Sequence, residues 1–346
     1  NNGEDVREDS VGDVCDLIEA GEQIIRGFKF KTEEQRMFAA MVLSSDRPVL
    51  ALQAPTAFGK TMTYLLPMLV LKRTRRGRYV HFIAVPYVSL KLATIQRLQE
   101  AGLCAADISM LKAYAVESRI CSIDALVGTF DSYGTQWLYS LLNEWNVRFG
   151  GLREKGYFVL DEAHVLWLEQ EFRSQLNNVV SLKWNEFNKI IMLSATFPRW
   201  LFQKVCRQLN LSEHAIRNAR WINVVKQVPN SGVLKETLTV ARNEFKSIIK
   251  KRVDSYLAST VGGKAIMFFG SKRRLRECYD SWKSNEAVLA VDADMSEERK
   301  LAVYREFEAS QSAARVIMGT KLISNGLDCA SVDYVCLASC DVHIID

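Results

Sequence analysis

The chain has 346 residues, more than one hydrophobic core usually spans, so two domains are expected. With 48% hydrophobic and 25% charged residues it has the make-up of an ordinary soluble globular protein, and a net charge of +5 permits a polyanionic partner without demanding one. The eight cysteines form no disulfide framework, no secretory signal is found, and the longest apolar stretch, 64–71 with Pro67 inside, is too short for a bilayer; a reducing, intracellular compartment and no membrane partner are expected.

Residues 1–12 are polar and acid-rich (Glu4, Asp5, Glu8, Asp9), the pattern of a flexible tail, and 1–27 are taken as a tail with a helix. From Pro48 onward short apolar runs alternate with longer helical patterns. Strands are expected at 49–53, 80–85, 125–128, 157–160 and 190–193, with amphipathic stretches such as 90–98 and 137–145 between them. The alternation weakens over 222–257, a charged stretch of helical character that includes 240–253. It resumes at 265–269, 287–291, 316–319 and 334–338. Strands alternating with helices call for parallel sheets covered on both faces. The division expected is a first α/β domain over 28–224, a linker over 225–258 and a second domain over 259–346. Basic runs at 72–78, 250–252 and 272–274 are read as solvated helix ends or loops before any nucleic-acid role.

The strand 49–53 runs into Ala54-Pro55-Thr56-Ala57-Phe58-Gly59-Lys60-Thr61, and then an apolar helix begins. A strand, a loop and a Gly-Lys-Thr opening a helix is an arrangement that cradles phosphates, because backbone N–H groups and the helix N-terminus face the anion. Lys60 would reach the β- and γ-phosphates, and the Thr61 hydroxyl would ligate Mg²⁺. Ala54 stands where the strict pattern has its first glycine. Further on, a buried-strand run ends in Asp161-Glu162-Ala163-His164. A carboxylate at the C-terminal end of a parallel strand faces the ligand crevice of such sheets. Asp161 can hold Mg²⁺, and Glu162 is placed to orient and deprotonate an attacking water.

These blocks resemble superfamily 2 helicases: the loop 54–61 is similar to motif I, Asp161–His164 to motif II, and Ser194-Ala195-Thr196 to motif III. Phe30-Lys31-Thr32-Glu33-Glu34-Gln35 resembles the upstream adenine-reading element, with Gln35 as the base reader. Val85-Pro86-Tyr87-Val88-Ser89-Leu90 is similar to motif Ia and Val127-Gly128-Thr129-Phe130-Asp131-Ser132 to motif Ib, both of which lie along the nucleic-acid backbone in the family. In the second domain Ser271 falls in a motif IV look-alike. Thr320-Lys321 and Asn325-Gly326-Leu327-Asp328 resemble motif V. The resemblance implies two RecA-like, P-loop NTPase domains. It implies ATP and Mg²⁺ as cofactors, with Gln35, Ala54 to Thr61, Gly326 and Asp328 around the nucleotide. Pro86, Ser89, Gly128, Thr129, Ser271, Thr320 and Lys321 would face nucleic acid, and His164, Ser194 and Thr196 would couple the two. Within the superfamily, the Asp-Glu-Ala-His box and upstream element resemble the RecQ group. The wording of several blocks resembles helicases of subtelomeric Y′ elements of budding yeasts, which implies DNA, the nucleus and telomere maintenance through recombination.

Three departures accompany the resemblance. Ala57 replaces a glycine common in the family loop, which costs strain if the position needs positive φ. No Gln-x-x-Gly-Arg-x-x-Arg element is present, so motif VI and its arginine finger are missing. The chain stops at Asp346, about where that motif would begin, and the second domain is expected to be cut short. A module that binds ATP or nucleic acid without turnover is therefore the alternative, and another P-loop enzyme such as a kinase is disfavoured by the motif order. Cys329, Cys336, Cys340 and His343 lack zinc-site spacing and read as structural. His81 reads as a satisfied core histidine, and Trp137, Trp145 and Trp167 as core aromatics.

Overall fold

The structure is a computed structural model that describes residues 10–55, 57–74, 79–112, 122–133, 136, 140, 154–169, 182–224, 243–259, 263–320, 323 and 332–338. The chain divides into two compact units, Asn1–Gln227 and Val228–Asp346.

In the first unit α1 (Ser10–Glu22) and α2 (Glu33–Ser44) precede β1 (Val49–Gln53) and α3 (Met62–Thr74). Then follow β2 (Tyr79–Val85), α4 (Val88–Glu100), β3 (Ala105–Asp107), β4 (Ala125–Thr129) and the short α5 (Phe130–Tyr133). The unit closes with β5 (Glu154–Asp161), α6 (His164–Leu168), β6 (Lys189–Ser194), α7 (Arg199–Gln208), α8 (Glu213–Asn218) and β7 (Arg220–Asn223). The strands form one sheet in the order β3-β4-β2-β5-β6-β1-β7, and every pairing is parallel. The central strands are apolar end to end because both faces are covered, as a parallel sheet requires. Successive side chains alternate sides. Val49, Ala51, Phe82 and Phe158 pack with Leu201 and Val205 of α7, whereas Leu50, Leu52, Ile83 and Val159 pack with Phe38 of α2, Leu66 of α3 and Leu98 of α4.

Where β2 meets β5 the register slips. Gly156 and Tyr157 oppose the single residue His81, and the His81 Nδ1 accepts the Tyr157 N–H at 3.0 Å in place of a ladder carbonyl. His81 is buried and satisfied, as its place in an apolar strand suggests.

The second unit holds α9 (Phe245–Ser259), β8 (Lys264–Phe268), α10 (Lys272–Tyr279), β9 (Val288–Val291), α11 (Glu297–Glu308), β10 (Val316–Gly319) and β11 (Val332–Leu337). Its sheet runs β11-β8-β10-β9, again all parallel. Ile249 and Val253 of α9 and Leu275 and Cys278 of α10 pack on Ala265, Met267 and Met318. Tyr304 and Phe307 of α11 pack beside Ile317. No helix among the described residues is long and apolar enough to cross a membrane.

Some sequence expectations change. Residues 10–12, read as tail, begin α1. The stretch 245–258, read as linker, belongs to α9, whose Ile249, Val253 and Tyr256 are core residues of the second unit. Strands β3 and β7 escape the sequence pattern. One is only three residues long, and the other is a half-exposed edge with the sequence Arg-Trp-Ile-Asn. Residues 1–9, most of the helical stretch 137–145 and all of 225–242 lie outside the described residues, as do Cys329, Cys340 and His343.

Candidate active site

Apart from the upstream element at the start of α2, the described motif residues of the first unit lie at one end of the sheet, where β1, β2, β4, β5 and β6 end. Parallel order is the reason: each strand delivers its C-terminal loop to the same side.

The loop after β1 is tied down from both ends. The Ala54 N–H donates to the Ser194 carbonyl at 3.0 Å, which joins it to the end of β6. Gln35, 2% exposed, donates its Nε2 to the carbonyls of Phe58 and Gly59, both at 3.1 Å. Its Oε1 accepts the Lys31 N–H at 2.7 Å. The residue expected to read adenine thus spends its amide on the phosphate loop. It also sits three residues into α2, where Thr32 caps the Gln35 N–H at 3.1 Å. Lys31 Nζ clamps the Ala57 carbonyl at 2.8 Å. Two loop residues take positive φ, Ala57 at 62° and Gly59 at 85°. Positive φ favours glycine at 59, and an added Cβ would also meet Gln35 Nε2 at 2.5 Å and force that amide to shift.

Lys60 folds over this loop, with Nζ 3.1 Å from the Ala54 carbonyl and 3.9 Å from Glu162 Oε1. Asp161 ends β5 and is 8% exposed. Burial and then the adjacent Glu162 charge push the Asp161 carboxyl up, with Lys60 pulling against them. Burial also works against ionised Glu162, but the hydrogen bond from His164 and the Lys60 charge outweigh it and hold that carboxyl low. Glu162 itself takes φ 51°, a strained backbone at the residue expected to act as base.

Ser194 links the two halves. Its hydroxyl donates to Glu162 Oε2 at 3.2 Å, lies 2.7 Å from His164 Nδ1, and accepts the Thr196 N–H at 3.0 Å. The expected coupling residues His164, Ser194 and Thr196 are therefore one network that holds the Glu162 carboxylate. Sequence reading did not single out Arg97 in the last turn of α4, whose Nη1 donates to Thr61 Oγ1 at 3.0 Å. No motif spacing marks it, because the contact joins α4 to the residue that precedes α3, 36 positions away.

Thr61 and Asp161 supply hard oxygen donors, which suit Mg²⁺. Among the described residues no group of three His, Cys, Asp or Glu side chains could hold a metal alone. When bound, the cation would neutralise charge on the phosphates.

The expected nucleic-acid residues flank this site. Pro86 and Ser89 lie at the exit of β2, where Tyr87 is tied to Glu169 by a 2.8 Å hydrogen bond. Gly128 and Thr129 end β4. A Cβ at Gly128 would strike Ile108 Cγ2 at 2.5 Å, so that glycine has a packing role as well. In the second unit Ser271 follows β8 and caps α10 through the Arg274 N–H, and Thr320 follows β10. Thr56, Lys321, Gly326 and Asp328 lie outside the described residues. Elsewhere Trp167, half-buried, carries Lys204 over its ring at 4.7 Å. Cys336 is half-buried on β11.

Residues 32–203 match the family described as DEAD/DEAH box helicase, and residues 248–345 match the helicase conserved C-terminal domain. Two Y' element ATP-dependent helicases of Saccharomyces cerevisiae are each 24% identical over 360 residues. The match covers 96% of this chain and 26% of each relative, so the chain spans about a quarter of their length. Among solved structures, S. cerevisiae Dbp5 bound to RNA and ADP BeF3 has a TM-score of 0.66 at 17% identity, over 94% of this chain and 78% of that one. The DEAD-box helicase Mss116 bound to ssRNA and UDP-BeF has a TM-score of 0.68 at 17% identity, over 97% and 70%. These two likenesses carry the RecA-like fold.

Proposed function

Because the chain belongs with the DEAD/DEAH box helicases, we propose that it is an ATP-hydrolysing nucleic-acid helicase or translocase core. ATP and Mg²⁺ are taken up at Lys60, Thr61, Asp161 and Glu162. The observation that carries the reading is the Lys60 ammonium 3.9 Å from a Glu162 carboxylate that Ser194 and His164 hold in place. Lys60 leaves its loop carbonyls for the β- and γ-phosphates, and the loop N–H groups cradle them. Glu162, kept ionised, takes the proton of the attacking water. Thr61 and Asp161 would hold the cation, and Gln35, Gly326 and Asp328 would border the nucleotide. Movement of Ser194 and Thr196 with the Glu162 carboxylate would pass the state of the phosphate to neighbouring strand-exit loops.

Nucleic acid would run past Pro86, Ser89, Gly128 and Thr129, and past Ser271, Thr320 and Lys321 of the second unit. Such loops contact the backbone, so no base sequence is read. The preferred substrate is DNA, on the likeness to Y' element helicases and the RecQ-like wording of the Asp-Glu-Ala-His box. The same likeness supports a nuclear role in telomere maintenance through recombination.

The test is ATP turnover by the chain with single-stranded DNA, single-stranded RNA or neither. DNA-stimulated turnover that Lys60→Ala abolishes is expected; turnover indifferent to both nucleic acids would sink the helicase reading. A second reading, nucleotide binding without hydrolysis, is favoured by the strained Ala57 in the phosphate loop. It predicts Lys60-dependent ATP binding with no turnover above background.

A further inference from the structure

We propose that Arg97 is a positioning residue of the nucleotide site, holding the Thr61 hydroxyl and thereby setting how much divalent cation the chain needs to bind nucleotide. The inference rests on the nucleotide-site reading above.

Arg97 lies in the last turn of α4, an element whose motif residues are at its other end. Its Nη1 donates to Thr61 Oγ1 at 3.0 Å. A guanidinium has only donors, so the Thr61 oxygen must accept with a lone pair. That oxygen is the one a cation at this site would use. The same guanidinium is within electrostatic reach of Asp161 and of Tyr64. Arg97 therefore brings a permanent positive charge near the corner where Asp161 and Glu162 place two adjacent carboxylates.

A second observation points to the same corner. The Tyr64 hydroxyl is fully buried, with Thr61, Arg97 and Asp161 as its polar surroundings. A divalent cation and a guanidinium cannot both take the Thr61 lone pair, and like charges repel. Arg97 is exposed and long enough to swing into solvent, so the competition is mild. Exposed charge contacts are weak, so the expected effect is roughly two- to fivefold.

The experiment follows binding of a fluorescent ATP analogue to the full chain as Mg²⁺ is raised from zero. Wild type, Arg97→Ala and Arg97→Lys are compared, with Lys60→Ala as the control for the site. Arg97→Ala is expected to lower the half-saturating Mg²⁺ by roughly two- to fivefold, because the competing charge is gone. Arg97→Lys keeps the charge and is expected to stay within twofold of wild type. An unmoved midpoint in Arg97→Ala, or one that rises, overturns the proposal. If wild type fails to bind, or Lys60→Ala binds equally well, the nucleotide site itself is misplaced. Mg²⁺-dependent wild-type binding with an unmoved Arg97→Ala midpoint refutes only the role given to Arg97.

Discussion

Ala57 holds φ at 62° between Pro55 and Gly59, a conformation that an alanine reaches only at a cost of about 1–2 kcal/mol. The Lys31 ammonium on its carbonyl and the Gln35 amide on the next two carbonyls hold it there. Ala57→Gly is expected to raise stability by about 0.5–1 kcal/mol, since relief of strain exceeds the added chain entropy. Thermal unfolding of the two proteins measures it, and a lower melting temperature for the glycine variant would refute the strain. Gly59→Ala goes the other way: it adds positive-φ strain and a Cβ 2.5 Å from Gln35 Nε2. It should lower stability by about 2 kcal/mol or more and weaken nucleotide binding, which titration calorimetry reads. At this scale the sequence was informative where chemistry repeats a known spacing. Lys60, Asp161, Glu162 and Ser194 follow from order along the chain, and the strain at Ala57 follows from a missing glycine. Arg97 does not, because its contact with Thr61 joins residues 36 positions apart and exists only once the chain has folded.

Strand positions were legible because central parallel strands are buried on both faces and read as unbroken apolar runs; β1 matches its expected span and β2, β4, β5 and β6 extend it by one to four residues. The short β3 and the edge β7 lack that signal, and α9 was misread because its exposed face carries Lys250, Lys251 and Asp254. The bulge between β2 and β5 was invisible as well, since it depends on an imidazole replacing a ladder acceptor. Replacing that imidazole in His81→Leu leaves the buried Tyr157 N–H unpaired, an expected loss of about 1–3 kcal/mol in chemical denaturation. No loss would show that the bulge does not depend on His81. Helix burial also orders the thiols. Cys206 of α7 and Cys278 of α10 are fully buried, whereas Cys15 and Cys104 are exposed. Burial pushes Cys206 from 9.0 up to about 12 and Cys278 up to about 11. A raised thiol pKa contributes stability below pH 9 that is lost as pH rises toward the folded value. Stability should therefore fall from pH 9 upward, with a shallower slope in Cys206→Ala. A thiol reagent should label Cys15 and Cys104 at once and Cys206 only on unfolding; rapid labelling of native Cys206 would contradict the packing.

At the scale of the molecule, the chain holds two units in sequence, each built on an all-parallel sheet, and residues 32–203 and 248–345 match the DEAD/DEAH box helicase family and the helicase conserved C-terminal domain. The first unit contributes the phosphate loop, both acidic residues and the Ser194 network from one end of its sheet. The function of the chain therefore turns on whether Glu162 acts as the base. The most direct measurement is single-turnover ATP hydrolysis by Glu162→Gln beside wild type, with ATP binding measured on the same samples. The amide keeps the size of the side chain and loses its capacity to accept a proton, so binding should stay within a few-fold while hydrolysis falls by about 10²–10⁴. Hydrolysis at the wild-type rate in a variant that still binds ATP would contradict the assignment.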